Sequence, residues 1–240
     1  MLNDLNIEEV LFIDIETAPI APEFDKLSEN WQKLWEHKMK PQLNEGETAK
    51  GLYQRAGIYA EFGRIICISM GYVAKKEGER FYRVKSFFDE NEKILINNFL
   101  QTLQKFMKAG KSKLCAHNGQ EFDFPYIARR AIVHGLNLPK ILDIAGTKPW
   151  EIKDQLLDTL QLWKFGDYKH YTSLSLLCEL FDIPTPKDDI DGSQVARVYW
   201  EENNLNRIVK YCEKDTMAVA NLMLRYKGEE IIPVENLEVV

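Results

Sequence analysis

V-L-F-I-D-I-E-T, from Val10 to Thr17, decides the fold. Its first residues are apolar on both faces and rich in β formers, the pattern of a central strand covered on both sides. Asp14 and Glu16 stand two apart on that strand and so project from one face. They sit at its C-terminal end, where α/β sheets place their sites. Two acids there are costly unless something cationic meets them. A divalent ion is the economical answer, because Mg²⁺ takes carboxylates, waters and phosphate oxygens together. The bland reading is a strand emerging into solvent at Asp14. Ile15 between the acids, and Phe12 and Ile13 before them, tilt the balance toward a site.

Outward from this strand, the pattern alternates. Residues 18–62 carry Leu27, Trp31, Leu34, Trp35 and Met39 at helical spacing, then a second helix around Ala49 to Tyr59. They read as an insertion, within a single domain covering 1–240. Arg64 to Val73 and Arg80 to Phe88, joined by K-K-E-G-E, form a predicted hairpin. A helix over Asn91 to Ala109 ends at Gly110. A short strand, Lys113 to Ala116, leads to a helix from Asp123 to His134, stopped by Gly135. Lys140 to Lys153 is irregular, and Gln155 to Leu162 fits a strand or a short helix. Helices follow at Leu174 to Phe181 and Arg207 to Tyr226, the second closed by Gly228. The I-I-P-V-E-N-L-E-V-V tail has no legible pattern. Strands first and βα units later predict an α/β fold, a mixed sheet with helices on both faces.

The 240 residues, 45% hydrophobic and 28% charged, suit a globular protein with a real core. The acidic start is unlike a signal peptide, and no apolar run is long enough for a membrane span. A soluble cytoplasmic protein with no membrane partner is expected. Cys67, Cys115, Cys178 and Cys212 form no C-x-x-C pair, and the three inside apolar runs read as reduced core thiols. A net charge of −6 argues against a coat for long duplex nucleic acid. It leaves room for an enzyme that grips one strand end through metal ions.

Two further motifs carry acids. In A-H-N-G-Q-E-F-D-F-P-Y-I, Asp123 and Pro125 fit a helix start with Asp123 as N-cap. The alternative is a third carboxylate of a site, with Asn118 fixing the loop or meeting substrate. His117 reads as a hydrogen-bonded core histidine, since no nucleophile partner is visible. On the last helix Tyr211 and Asp215 are four apart and share a face.

Each motif is modest, but their order and spacing are specific. F-I-D-I-E-T, H-N-x-x-x-F-D and Y-C-x-x-D resemble the three exonuclease motifs of the DnaQ-like superfamily, with Tyr211 as in its DEDDy branch. K-D-D-I-D-G-S-x-V (Lys187 to Val195), followed by Y-C-E-K-D, is similar to a bacterial family related to the proofreading exonuclease domain of family B DNA polymerases. The resemblance runs from about Val10 to Tyr226. It implies a ribonuclease H-like fold with a five-stranded mixed sheet. It also implies 3′→5′ removal of nucleoside 5′-monophosphates from the 3′ end of single-stranded DNA, with two Mg²⁺ or Mn²⁺ ions as cofactors. Asp14, Glu16, Asp123 and Asp215 are the implied metal ligands. Asp14 bridges both ions, Glu16 and Asp215 hold the one binding the attacking water, and Asp123 serves the leaving-group side. Tyr211 orients that water, its phenol being too weak a base near neutral pH. Thr17, Asn118, Phe122 and Asp158 are candidate substrate-side residues; for Asp158 a strand-end acid is the equal alternative. Lys187 reads as a solvated loop charge or a phosphate contact. Trp31 and Trp35 read as core, or as platforms for unpaired bases.

Two other readings stand beside this one. An exoribonuclease of the same superfamily would use the same carboxylates and differ in contacts to the 2′-OH. A non-catalytic nucleic-acid-binding module on a degenerate fold is opposed by the intact acidic set. Neither a protein partner nor a pathway is legible.

Overall fold

In the computed structural model, residues 2–167, 171–184 and 189–240 are described. β1 (Val10–Pro19) is the middle of a six-stranded sheet. On one side it pairs antiparallel with β2 (Gly63–Lys76), which pairs antiparallel with β3 (Glu79–Phe87). On the other it runs parallel to β4 (Lys113–Ala116), which runs parallel to β5 (Leu156–Asp158). The order β5-β4-β1-β2-β3 contains the five expected strands. β6 (Leu237–Val239), from the unread tail, adds a sixth, parallel to β3 at the edge.

The helices are α1 (Glu29–Met39), α2 (Glu92–Lys108), α3 (Asp123–Val133), α4 (Pro149–Ile152), α5 (Thr159–Lys164), α6 (Leu174–Leu180), α7 (Val195–Trp200) and α8 (Leu205–Tyr226). The strands alternate their side chains between two layers. Leu11, Ile13 and Ile15 pack with Leu95 and Phe99 of α2 and with Phe124 and Ile127 of α3. Val10 and Phe12 face the other way, with Tyr82, against Met217, Ala220 and Met223 of α8. Helices therefore cover both faces, as a strand apolar on both sides requires. Among the described residues no helix is long and apolar enough to cross a membrane.

Several boundaries follow from local chemistry. The hairpin turn places Glu77 and Gly78 at φ 53° and 90°, the two positive values that match the twist of antiparallel strands. Gly110, Gly135 and Gly228 end α2, α3 and α8 at φ 98°, 66° and 69°, conformations without a Cβ penalty. The segment 155–162 is both expected alternatives in succession: strand through Asp158, then helix. The helix expected at 49–59 is instead a 3₁₀ helix, Tyr53–Ile58. Gly51 and Gly57 weaken an α-helix there, and the chain must close quickly onto the sheet.

Residues 18–62 build a small core of their own. Phe24, Trp35, Met39, Tyr53 and Phe62 pack together, and the indole of Trp35 donates to Ala49 O at 2.7 Å. Trp35 is thus a core residue, while Trp31 is part-exposed with its ring edge against Phe62. The segment is fastened to α3: Tyr126 Oη donates to Gly57 O at 2.8 Å and Arg130 Nη1 to Ala60 O at 3.0 Å.

Arg130 also makes a two-pronged contact with buried Glu92, at 2.9 and 2.5 Å. Glu92 accepts in addition from Ile65 N at 2.7 Å and is 2.8 Å from His134 Nε2. Burial alone would raise the Glu92 carboxyl; the bonds from Arg130, His134 and Ile65 outweigh it and hold it below its ordinary value. Removing one partner of such a pair leaves a buried charge unmatched, so Arg130→Met is expected to cost about 3–5 kcal/mol in urea denaturation. Combined with Glu92→Gln, the loss falls short of the two single losses summed, by roughly 1 kcal/mol or more.

Candidate active site

The site begins where β1 loses one neighbour. Pairing with β4 ends at Phe12, while pairing with β2 continues to Pro19. Beyond Phe12 the β4 edge of β1 is open. The Ile15 N–H there is taken by Asp123 Oδ1, at 3.2 Å. Asp123 is 3% exposed and stands at the first position of α3. The N-cap is Phe122, so Asp123 is not the cap its spacing to Pro125 allowed; its carboxylate crosses to β1 instead.

Asp14 and Glu16 continue the face of Val10 and Phe12, opposite Ser69 and Cys67 of β2, and the register shifts by a bulge between Glu16 and Thr17. α8 lies over this face. Its N-terminal half packs Ile208, Val209, Tyr211 and Cys212 on Ala18, Ile66 and Cys67, and its C-terminal half packs on Val10 and Phe12. Asp215 is buried between the two apolar patches, one turn after Tyr211. The Cys212 thiol donates to Asp14 Oδ2 at 3.2 Å and to Asp14 O at 3.4 Å. Ligand atoms of Asp14, Glu16 and Cys212 all lie within 4.8 Å of one another.

The electrostatics tie the four acids together. Asp14 is held well above the ordinary carboxyl range by burial, then by Glu16, Asp215 and Asp123. Glu16 is raised by burial, then by Asp215, Cys67 and Asp123. Asp123 is pushed up to about 7, chiefly by burial, with Asp158 and Asp215 adding to it. The Tyr211 phenol is driven far up by burial and by Asp215, Glu16 and Asp14. Among the described residues, no Lys or Arg forms an ion pair with Asp14, Glu16 or Asp123. Hard oxygen donors crowded together, with no described Lys or Arg paired to Asp14, Glu16 or Asp123, fit a divalent metal ion.

The loop from β4 to α3 is equally constrained. His117 Nε2 lies 2.9 Å from Thr172 O, and Nδ1 lies 2.9 Å from Thr159 Oγ1. A carbonyl only accepts, so Nε2 carries the proton and the ring is neutral; burial lowers its pKa to about 4. His117 is therefore the satisfied histidine its sequence suggested. Asn118 adopts φ 63°, and its N–H donates to Asp158 Oδ1 at 2.9 Å. Asp158, 1% exposed, also accepts from Gln120 N at 3.1 Å and caps α5 through Leu160 N at 2.9 Å. Its carboxylate is thus spent on backbone donors and holds Asn118 in place. Asn118 Oδ1 is buried with no hydrogen-bond partner among the described residues. Phe122 is half-buried, its ring 5.3 Å from that of Tyr126, and Thr17 is half-buried just past the bulge.

Sequence reasoning missed two neighbours. Cys212 reads as a core thiol, and nothing in Y-C-E-K-D distinguishes a buried sulfur from one that also touches Asp14. Tyr171 is 62% exposed with its ring against His117, and after burial its phenol is raised by Asp123, Asp158 and Asp215. Its only signal was an aromatic in an otherwise patternless loop. Lys187 lies outside the described residues.

Residues 58–230 match a family described as predicted 3′-5′ exonucleases related to the exonuclease domain of PolB. A DNA polymerase of Pyrococcus glycovorans is 24% identical over 201 residues, covering 77% of this chain and 24% of the polymerase. One of Desulfurococcus sp. (strain Tok) is 25% identical over 194 residues, covering 73% and 23%. The chain thus spans about a quarter of the length of these relatives. The family B DNA polymerase of Pyrobaculum calidifontis superposes over 91% of this chain and 24% of its own, at a TM-score of 0.55 and 16% identity. It shares the fold, consistent with a ribonuclease H-like sheet.

The raised carboxyls set a pH signature. A folded pKa above the unfolded one means that the fold holds protons the unfolded chain has released, so stability is lost as pH rises through the folded value. In EDTA, melting temperature is expected to fall between about pH 6.5 and 8, at up to about 1.4 kcal/mol per pH unit for each proton retained. Below about 6.5 the neutral His117 acts oppositely, losing stability on acidification. Saturating Mg²⁺ or Mn²⁺ should flatten the slope above 6.5, since bound ions replace the protons. Asp14→Asn should raise the melting temperature in EDTA at pH 8 and abolish most of the metal-induced rise. A slope unaffected by metal in the wild type would contradict this.

Proposed function

We propose, from the premise that the chain belongs to the family of predicted 3′-5′ exonucleases related to the exonuclease domain of PolB, that it hydrolyses the 3′-terminal phosphodiester bond of single-stranded DNA. One observation carries the reading: acids from β1, α3 and α8 converge in a buried place where no described Lys or Arg pairs with Asp14, Glu16 or Asp123. We read residues 1–240 as a single domain bearing this activity, with 18–62 inserted. Asp14, Glu16, Asp123 and Asp215 would hold a pair of divalent cations. Mg²⁺ or Mn²⁺ held there supplies a water acidified toward hydroxide and positive charge beside the departing 3′ oxygen.

The chain's own groups do the rest by position. The Cys212 thiol fixes one oxygen of Asp14 and the Ile15 N–H fixes one of Asp123, so each carboxylate keeps a second oxygen for a cation. Tyr211 keeps its proton, so it donates a hydrogen bond and orients the attacking water rather than deprotonating it. Asn118, held by Asp158, presents its side-chain oxygen to the substrate, and Thr17 and Phe122 flank the entering end. The water's oxygen bonds to phosphorus as its proton is released, the bond from phosphorus to the 3′ oxygen breaks, that oxygen takes up a proton as the shortened strand's 3′ hydroxyl, and a nucleoside 5′-monophosphate leaves. The names of the relatives favour DNA; a polymerase's other activities are not carried over.

Digestion of 5′-labelled single-stranded DNA beside matched RNA tests this. A ladder receding from the 3′ end, lost in EDTA and reduced about a thousandfold or more by Asp14→Ala, is expected, with RNA cut more slowly. Preferential cutting of RNA would make the protein an exoribonuclease. No cutting of either by folded, metal-binding protein would leave a binding module. Tyr211→Phe should lose roughly ten- to a hundredfold in kcat yet keep the metal-induced rise in melting temperature.

A further inference from the structure

The inserted segment has a consequence for substrate. A cleft of about 320 Å³ opens between its 3₁₀ helix and the start of α7. That volume lies at the small end of ligand-sized clefts. Thr17, Gln54, Arg55, Ile58, Ser193 and Ala196 line it. Thr17 directly follows Glu16, so the cleft starts one residue from the carboxylates. It lies on the side where the β1 chain leaves the sheet.

The wall is built to stay in place. A Cβ at Gly57 would stand 3.3 Å from the carbonyl carbon of Ala18, so the inserted backbone lies directly on β1. Tyr126, on the helix that starts with Asp123, ties the same glycine by its carbonyl. Across the cleft, Ser193 is pinned by Asp191, whose Oδ1 accepts from both its N–H and its hydroxyl, at 2.8 and 2.5 Å. Trp200 at the far end of α7 donates to Pro19 O at 3.1 Å. Both walls are thus fastened to the strand that carries Asp14 and Glu16.

The lining has the chemistry of a nucleotide strand. Arg55 is exposed and makes no ion pair or side-chain hydrogen bond among the described residues, in a protein of net charge −6. A free cation in a cleft that also reaches Thr17, the residue after Glu16, is suited to a phosphodiester. Ile58, 50% exposed, offers an apolar contact for a base, and Gln54 and Ser193 offer polar edges. The match to the exonuclease family begins only at residue 58, so Gln54 and Arg55 lie outside it.

We infer that this cleft binds unpaired nucleotides of the strand next to the scissile phosphate, with Arg55 on a backbone phosphate and Ile58 against a base. The inserted segment is thereby a positioning element for single-stranded polynucleotide. The inference rests on the exonuclease reading, and the test separates the two.

Binding of a labelled oligothymidylate is measured by fluorescence anisotropy in EDTA across a salt series. Turnover is measured on the same oligomer and on the p-nitrophenyl ester of thymidine 5′-phosphate, which has no neighbouring nucleotide. Arg55→Ala is expected to weaken oligomer binding about tenfold, the effect of one lost charge-assisted contact. It should lower the slope of log affinity against log salt by about 0.7, the value for one single-strand phosphate. KM on the oligomer should rise while kcat and turnover of the ester are unchanged, and Arg55→Lys should recover most of the salt slope. Ile58→Ala should weaken binding without altering the slope. Equal affinity and slope for wild type and Arg55→Ala overturn the cleft assignment, as does an equal loss on the ester. Wild-type protein that cleaves neither substrate overturns the exonuclease reading instead, and the anisotropy series still decides the cleft.

Discussion

β1 outruns its parallel neighbour, and the site exists because of it. Pairing with β4 stops at Phe12, so an N–H beyond that point has no sheet partner on one side. An unpaired buried N–H is costly, and the Asp123 carboxylate takes it. That one bond locks the first residue of α3 onto the strand bearing Asp14 and Glu16. The antiparallel partner β2 holds the same stretch from the other edge, so the acids are set by backbone pairing on one side and by the Asp123 carboxylate on the other. α8 then closes over them, its apolar patches before and after Asp215 fixing its height above the sheet.

The elements that were legible in the sequence are those with a period. The apolar run of β1, the β2–β3 hairpin and the stripes of α2, α3 and α8 all show one, and glycines punctuate the helices. The acids proposed for the site were picked out differently: the motifs that hold Asp14, Glu16 and Asp215 are each modest, and their order and spacing along the chain singled them out. Asp123 was harder, because a carboxylate near Pro125 at a helix start satisfies local chemistry by itself. Only the open edge of β1, a tertiary fact, draws its carboxylate away from the cap and onto the Ile15 N–H.

What stayed hidden has no local signature. β6 is three residues long and owes its existence to the edge of β3, so its own sequence carries little strand signal. α7 is only six residues and held by tertiary packing against α8 and β1. Asp158 shows the limit most clearly. It is the strand-end acid that was one of its two readings, at the end of β5, but nothing local showed that it gathers the N–H groups of Asn118, Gln120 and Leu160 and so joins the β4–α3 loop to a helix.

Pro19 and Gly63 are register partners, so the chain leaves the sheet and returns to it at adjacent rungs. To the sheet, everything between them is a hairpin loop, whatever its length. Closing a longer loop costs only slowly more entropy, about 0.6 kcal/mol for each doubling. The part of the molecule that flanks the site can therefore lengthen, shorten or be replaced over evolutionary time while the carboxylates keep their register. The proposed carboxylate site and the proposed strand-binding cleft meet on β1 on either side of a single bulge, and are free to diverge at different rates.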